Sequence, residues 1–137
     1  HLRNPYLAID RIYDALKIDG KVIVESHIID SGFVNENGEW ITLKDIDPRL
    51  EKLQIAQFYQ GGDLGGDHTS PWAPSLNTLE IMFQNSGFAI DSSWSNHFRG
   101  GLTATAVPIE VNHPRYIDSS SESNPNSKHM LIKGGDL

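Results

Sequence analysis

Two ionisable side chains, Glu25 and His27, stand two residues apart in the β-branched run from Lys21 to Ile29. Side chains alternate along a strand, so both project to one face, towards the strand's C-terminal end, where open α/β sheets bind their ligands. A carboxylate and an imidazole in that place suit proton transfer to or from a bound group. Glu25 has a plainer role open to it, capping a loop or pairing with a lysine. Trp72 lies between Pro71 and Ala73-Pro74, a large aromatic side chain in a rigid loop, and serves either as a hydrophobic plug or as a substrate platform. His68 belongs to the same loop.

The run Gly61-Gly62-Asp63-Leu64-Gly65-Gly66 has Asp63 where a dinucleotide-binding loop wants glycine, and no strand leads directly into it, so it reads as a flexible loop. Asp63, Asp67 and His68 match the spacing of no metal motif, and no metal site is expected. No Ser–His–Asp arrangement stands out, because triads are set by geometry and not by sequence position.

The chain has 137 residues and a formal charge of −7, with 38% apolar and 21% charged residues. One hydrophobic core is expected. The acidic balance argues against a broad nucleic-acid face in this segment, since phosphate binding rests on clustered lysine and arginine. There is no cysteine, which excludes disulfides, thiolate nucleophiles and Cys-ligated zinc. No apolar run approaches the ~20 residues of a membrane span. The opening His1-Leu2-Arg3-Asn4-Pro5 reads as the inside of a domain.

Asn4-Pro5 is a helix-start signal, and Tyr6, Ile9, Ile12, Tyr13 and Leu16 make one apolar stripe, so a helix is predicted from about Pro5 to Lys17. After the Asp19-Gly20 turn, Lys21 to Ile29 is predicted as a strand buried on both faces. A βαβ unit of this kind needs a preceding parallel strand, which is expected to lie before His1. Asn37-Gly38 marks a hairpin turn between Phe33-Val34 and Trp40-Ile41. A short helix is expected around Arg49 to Tyr59, then a long loop from Gln60 to Pro74. Ser75 caps a second helix reaching about Asn85, which Gly87 ends, and Phe88 to Trp94 alternates as a strand. Leu102 to Val111, broken by Pro108, is expected to be an edge strand or extended arm at best. Ser119 to Ser127 reads as a flexible loop, with a last short strand at His129 to Ile132.

The segments His1-Leu2-Arg3-Asn4-Pro5-Tyr6-Leu7-Ala8-Ile9 and Leu16-Lys17-Ile18-Asp19-Gly20-Lys21-Val22-Ile23-Val24-Glu25-Ser26-His27-Ile28-Ile29-Asp30 resemble the fourth helix and fifth strand of a class I S-adenosylmethionine-dependent methyltransferase family, the CmoB-like family that includes the tRNA wobble-uridine carboxymethyltransferase. Trp72-Ala73-Pro74-Ser75-Leu76, Leu79-Glu80-Ile81-Met82 and Ser86-Gly87-Phe88 resemble its aromatic-x-Pro-Asn/Ser segment, the following helix and that helix's end. The resemblance covers about residues 1 to 91.

It implies an α/β fold: the C-terminal part of a Rossmann-like sheet of seven strands, parallel except for one, with the N-terminal cofactor-binding half lying before His1. The parts are then a helix plus central strand (1–30), an insertion and acceptor-side loop (31–74), a helix plus strand (75–94), and edge strands with a flexible loop (95–137). The implied cofactor is S-adenosylmethionine, bound mostly upstream, with His1 and Arg3 at its edge. The family's carboxylated-cofactor enzyme carries an arginine just before the final strand. Aligning Met130-Leu131-Ile132 with that strand puts Lys128 there, which keeps the charge but loses the bidentate fork, so ordinary methyl transfer is expected.

Glu25 and His27 are then the catalytic candidates, and His68 and Trp72 face the acceptor, a small molecule or tRNA. The implied protein is cytoplasmic, and this segment alone is expected to be inactive. A non-catalytic α/β binding or assembly module built on the same core is the alternative.

Overall fold

The computed structural model describes residues 2–29, 32–64, 66–110 and 113–117. The predicted strand at 129–132 and the loop at 119–127 lie outside them. The chain is mixed α/β, and among the described residues the strand pairings are antiparallel. The described residues divide into two compact units: those of Glu25–Ile81 with Ser93–Gly101, and those of Leu2–Val24 with Met82–Ser92 and the described residues from Leu102 on.

In the second unit, helix α1 spans Pro5–Ala15. The Asn4 side chain accepts from Leu7 N at 3.0 Å, and Pro5 occupies the first position, where its missing N–H costs nothing. Strand β1 (Lys21–His27) follows a turn in which Asp19 takes φ 66°.

Strands β6 (Phe88–Asn96) and β7 (Arg99–Ala106) form a hairpin over the two residues His97-Phe98. The strand order is β1-β7-β6. Ala106 N donates to Gly20 O at 2.8 Å and Ile28 N to Phe98 O at 2.9 Å. One index rises as the other falls, so β1 and β7 are antiparallel. Both neighbours of β7 oppose it, and β1 and β6 therefore run parallel to each other. On one face Lys21 reaches across, Nζ donating to Asp91 Oδ2 at 2.8 Å and Thr105 Oγ1 at 3.3 Å.

Two expectations need correction. Strand β7 is central and not an edge, because it ends at Ala106, two residues before Pro108 can interrupt it, and Leu102, Ala104 and Ala106 are fully buried. β1 is not buried on both faces. Its exposure alternates, with Val22 and Val24 partly covered and Ile23 83% exposed. Half-burial of this kind belongs to a sheet with one covered face.

The core of this unit joins Ile9 and Tyr13 to Met82, Phe83, Phe88, Leu102, Ala104, Ala106 and Ile109. Tyr13 packs edge-on to Phe88 at 5.4 Å and donates its hydroxyl to Val107 O at 2.6 Å. Arg115, on α4 (Pro114–Ile117), lies over the Tyr13 ring, and its Nη2 donates to Asp14 Oδ1 at 2.6 Å. Ser86 is fully buried, and its hydroxyl has no hydrogen-bond partner among the described residues. An unmet buried hydroxyl destabilises, so Ser86→Ala is expected to raise unfolding free energy by up to about 1 kcal/mol in urea titrations. A loss of that size instead would show that the hydroxyl is satisfied.

In the first unit, β2 (Gly32–Val34) pairs with β3 (Trp40–Thr42) in the register Phe33↔Ile41, as the Asn37-Gly38 turn predicts. Gly38 takes φ 79°, and Asn35 Oδ1 accepts from the N–H groups of Asn37 and Glu39. Helix α2 (Leu43–Ile46) follows, closed by a Thr42/Asp45 capping box, and the helix expected over 49–59 is instead two elements, a 3-10 helix at Pro48–Lys52 and strand β4 (Ala56–Phe58). Strand β4 pairs with β5 (Trp72–Pro74) in the register Phe58↔Trp72, so the expected loop ends at Pro71, three residues earlier than Pro74. Helix α3 (Leu76–Asn85) starts where predicted: Ser75 Oγ accepts from Thr78 N at 3.2 Å, and Gly87 at φ 102° follows its end.

Candidate functional site

The candidate site lies in the first unit at the C-terminal end of β1. Strand alternation puts Glu25 and His27 on one face, as expected, but each is engaged by a residue that is distant in sequence. The Glu25 carboxylate pairs with the guanidinium of Arg99. Both side chains are largely solvated, so this pair orients more than it stabilises.

His27 stacks on Phe98 with ring centroids 5.9 Å apart and planes 13° from parallel, and presents an edge to Tyr59 at 6.4 Å. Trp40 meets Phe98 nearly at right angles, 82° at 6.1 Å. Burial pulls the His27 imidazole below its ordinary 6.5, which favours the neutral ring, and pushes the Tyr59 phenol above 10.0. The Nε2 atom of His27 is buried without a hydrogen-bond partner among the described residues.

Trp72 is partly buried on β5, opposite Phe58. Tyr59 N donates to Pro71 O at 2.9 Å, so the β4–β5 ladder carries the Trp72 strand beside the tyrosine that touches His27. His68 stands apart on the loop before β5. Its ring rests on Gly62, where a Cβ would come within 2.9 Å of it, and Gly62 holds φ 98°. Arg3 is exposed. His1 and Lys128 lie outside the described residues.

The glycine-rich loop folds on itself. Gly66 N donates to Gly62 O at 2.8 Å, and Asp63 Oδ2 accepts from Gln60 N at 3.1 Å. Asp67 accepts from Thr69 N and Oγ1 and from Ser70 Oγ, the last two at 2.6 Å. Among the described residues no three His, Cys, Asp or Glu side chains gather as a metal site would require.

The bonds from Ser70 and Thr69 hold the Asp67 carboxyl down to about 2, from 3.8. A depressed carboxyl stabilises the fold above its unfolded value and loses that contribution as pH falls through the folded one. The Thr69 and Ser70 amide resonances are therefore expected to titrate with a midpoint near 2. A midpoint near 3.8 would mean that these bonds do not hold the carboxylate in solution.

A cavity of about 600 Å³ adjoins the strand end. Ile28 and Ile29 follow β1 into its wall, Thr42 and Lys52 enter from the 42–52 segment, Asn77 from α3 and His97 from the hairpin tip. That volume falls within the range of small-molecule sites. Asn77 Nδ2 donates to Glu51 O at 3.2 Å, tying the 3-10 helix to α3, and Ser75 Oγ donates to Leu53 O at 3.1 Å and Thr78 Oγ1 to Ile55 O at 2.8 Å, holding the residues after the 3-10 helix. Lys44 pairs with Glu51 at 3.3 Å.

Reading the sequence alone missed Tyr59, Phe98, Arg99 and the cavity residues. Asn96-His97 is the one local signal that could have found the hairpin, since His97 takes φ 52°, a region that Asn, Asp and His enter more readily than most. None of Glu25, His27, His68 and Trp72 lines the cavity, so the imidazole and the carboxylate stand beside it at the strand end, an imidazole suited to proton removal next to a concave space suited to an acceptor.

No family model, curated protein or solved structure matches the chain. No helix among the described residues is long and apolar enough to cross a membrane.

Proposed function

We propose that the chain is the C-terminal, acceptor-side part of a class I S-adenosylmethionine-dependent methyltransferase that moves a methyl group to a small-molecule or tRNA acceptor. The observation that carries the reading is the strand pattern. A central antiparallel β7 between two mutually parallel strands is the arrangement to expect at the antiparallel position of a sheet otherwise parallel. Helix α1 precedes β1 and helix α3 precedes β6, in keeping with the motifs that carry the resemblance. The cavity at the end of β1 lies where ligands enter such sheets.

In this reading S-adenosylmethionine is the methyl donor, held mainly by residues before His1. The residues at hand bind and orient the acceptor. His27, kept neutral, is the side chain suited to take a proton, and Glu25 fixes Arg99 beside it. Lys128 lies outside the described residues, and the last described strand opens on another basic residue, Arg99. Its guanidinium is engaged by Glu25, which agrees with methyl rather than carboxymethyl transfer.

The coding sequence before His1 tests the reading. It should encode a strand, a glycine-rich turn opening a helix, and an acidic residue about 20 positions on. A preceding region without that pattern would favour the non-catalytic binding module.

A further inference from the structure

Large aromatic side chains left in water mark contact surfaces, and the first unit concentrates several of them in one place. Trp40 is 48% exposed and Phe98 46%, although each touches another ring. They stand at 82°, and His27 lies parallel to Phe98 at 5.9 Å, with Tyr59 beyond it. We propose that the Trp40–Phe98 corner is a stacking subsite for a free planar aromatic ring.

Two walls at right angles suit a flat ring. Lying parallel to one wall, it turns its edge to the other, and both contacts are preferred geometries for aromatic pairs. A saturated ring or an alkyl chain fills the same space without either gain. His27 already covers one face of Phe98, so the free ring is taken on the exposed part of the Trp40–Phe98 pair.

Charge selects the source of the ring. The chain is acidic overall at −7, and the charged pair next to Phe98 and His27, Glu25 with Arg99, is internally neutralised. A polyanion gains nothing there, so the occupant is a small molecule and not a base within a nucleic acid. The inference rests on ring geometry and is independent of the methyl-transfer reading. Where both hold, the ring belongs to the acceptor.

The test is an NMR titration of the 137-residue chain with phenol, and with cyclohexanol as a probe of similar size and the same hydroxyl without a planar ring. Phenol should shift the Trp40 indole N–H and the Phe98 ring in a saturable way, and cyclohexanol should bind about tenfold more weakly. Phe98→Leu keeps apolar volume and removes the wall, and it should weaken phenol binding about tenfold while the Trp72 and Trp94 indole signals stay in place. Equal shifts with cyclohexanol, or phenol binding unchanged in folded Phe98→Leu, would overturn the subsite. So would a short single-stranded oligonucleotide that binds the corner more tightly than phenol. Phenol binding at the corner, with no S-adenosylhomocysteine binding by the natural polypeptide that carries this segment, would leave the subsite standing and remove the methyltransferase.

Discussion

Gly87→Ala is expected to cost the fold about 3–4 kcal/mol, lowering the thermal midpoint by about 10 °C or more. Gly87 takes φ 102°, a conformation that L side chains rarely adopt, so the substitution is strained before any contact is counted. An added Cβ would also lie 2.6 Å from Tyr13 Cε2 and 2.9 Å from Ile109 Cγ2. Neither neighbour can yield cheaply. Tyr13 is fully buried, fixed edge-on to Phe88, and tethered to Val107 O by its hydroxyl, while Ile109 is itself in the core. Gly38 provides the contrast: its φ is 79°, but nothing lies within 4 Å of an added Cβ, so Gly38→Ala should cost only about 1 kcal/mol. Urea unfolding of the two variants compares them directly. Equal losses would mean that the Tyr13 and Ile109 contacts do not constrain the helix end.

Ile23→Lys should have opposite consequences in two settings. In the 137-residue chain Ile23 is 83% exposed, so the substitution should change stability by no more than about 0.5 kcal/mol. In the natural polypeptide read as a complete methyltransferase, a second helical layer covers this face of the sheet, as α/β architectures require. The lysine would then be buried without a partner, at a cost of about 3–5 kcal/mol and most of the activity. Paired measurements of stability in the short and long chains give the answer. Equal tolerance in both would show that this face of β1 stays open to water and that no such layer exists.

Local chemistry made part of this fold legible. Asn4-Pro5 sets the start of α1, Asn37-Gly38 turns the β2–β3 hairpin, and Ser75 with Gly87 bounds α3, because caps and turns are decided within a few residues. The neighbours of β7 were not legible. Pro108 looked like a break in the strand, yet the ladder ends before it, and the strand's central place is fixed by pairing with β1 and β6. The mixed segment after Thr42 likewise takes its form from long-range bonds: β4 exists because β5 pairs with it.

The site divides in the same way. Glu25 and His27 were readable from alternation alone. What they do depends on Arg99, Phe98 and Tyr59, which only the hairpin and the β4–β5 ladder bring near. Glu25 sits in an ion pair, with Arg99 and not with the lysine that the sequence suggests.

Calorimetric titration with S-adenosylhomocysteine, run on the natural polypeptide that carries this segment and on the 137 residues alone, tests the central claim most directly. Micromolar binding by the former and none by the latter is the expected result, because the contacts to adenosine and methionine are assigned to the region before His1. No binding by the longer polypeptide, or micromolar binding by the 137-residue chain itself, would contradict it.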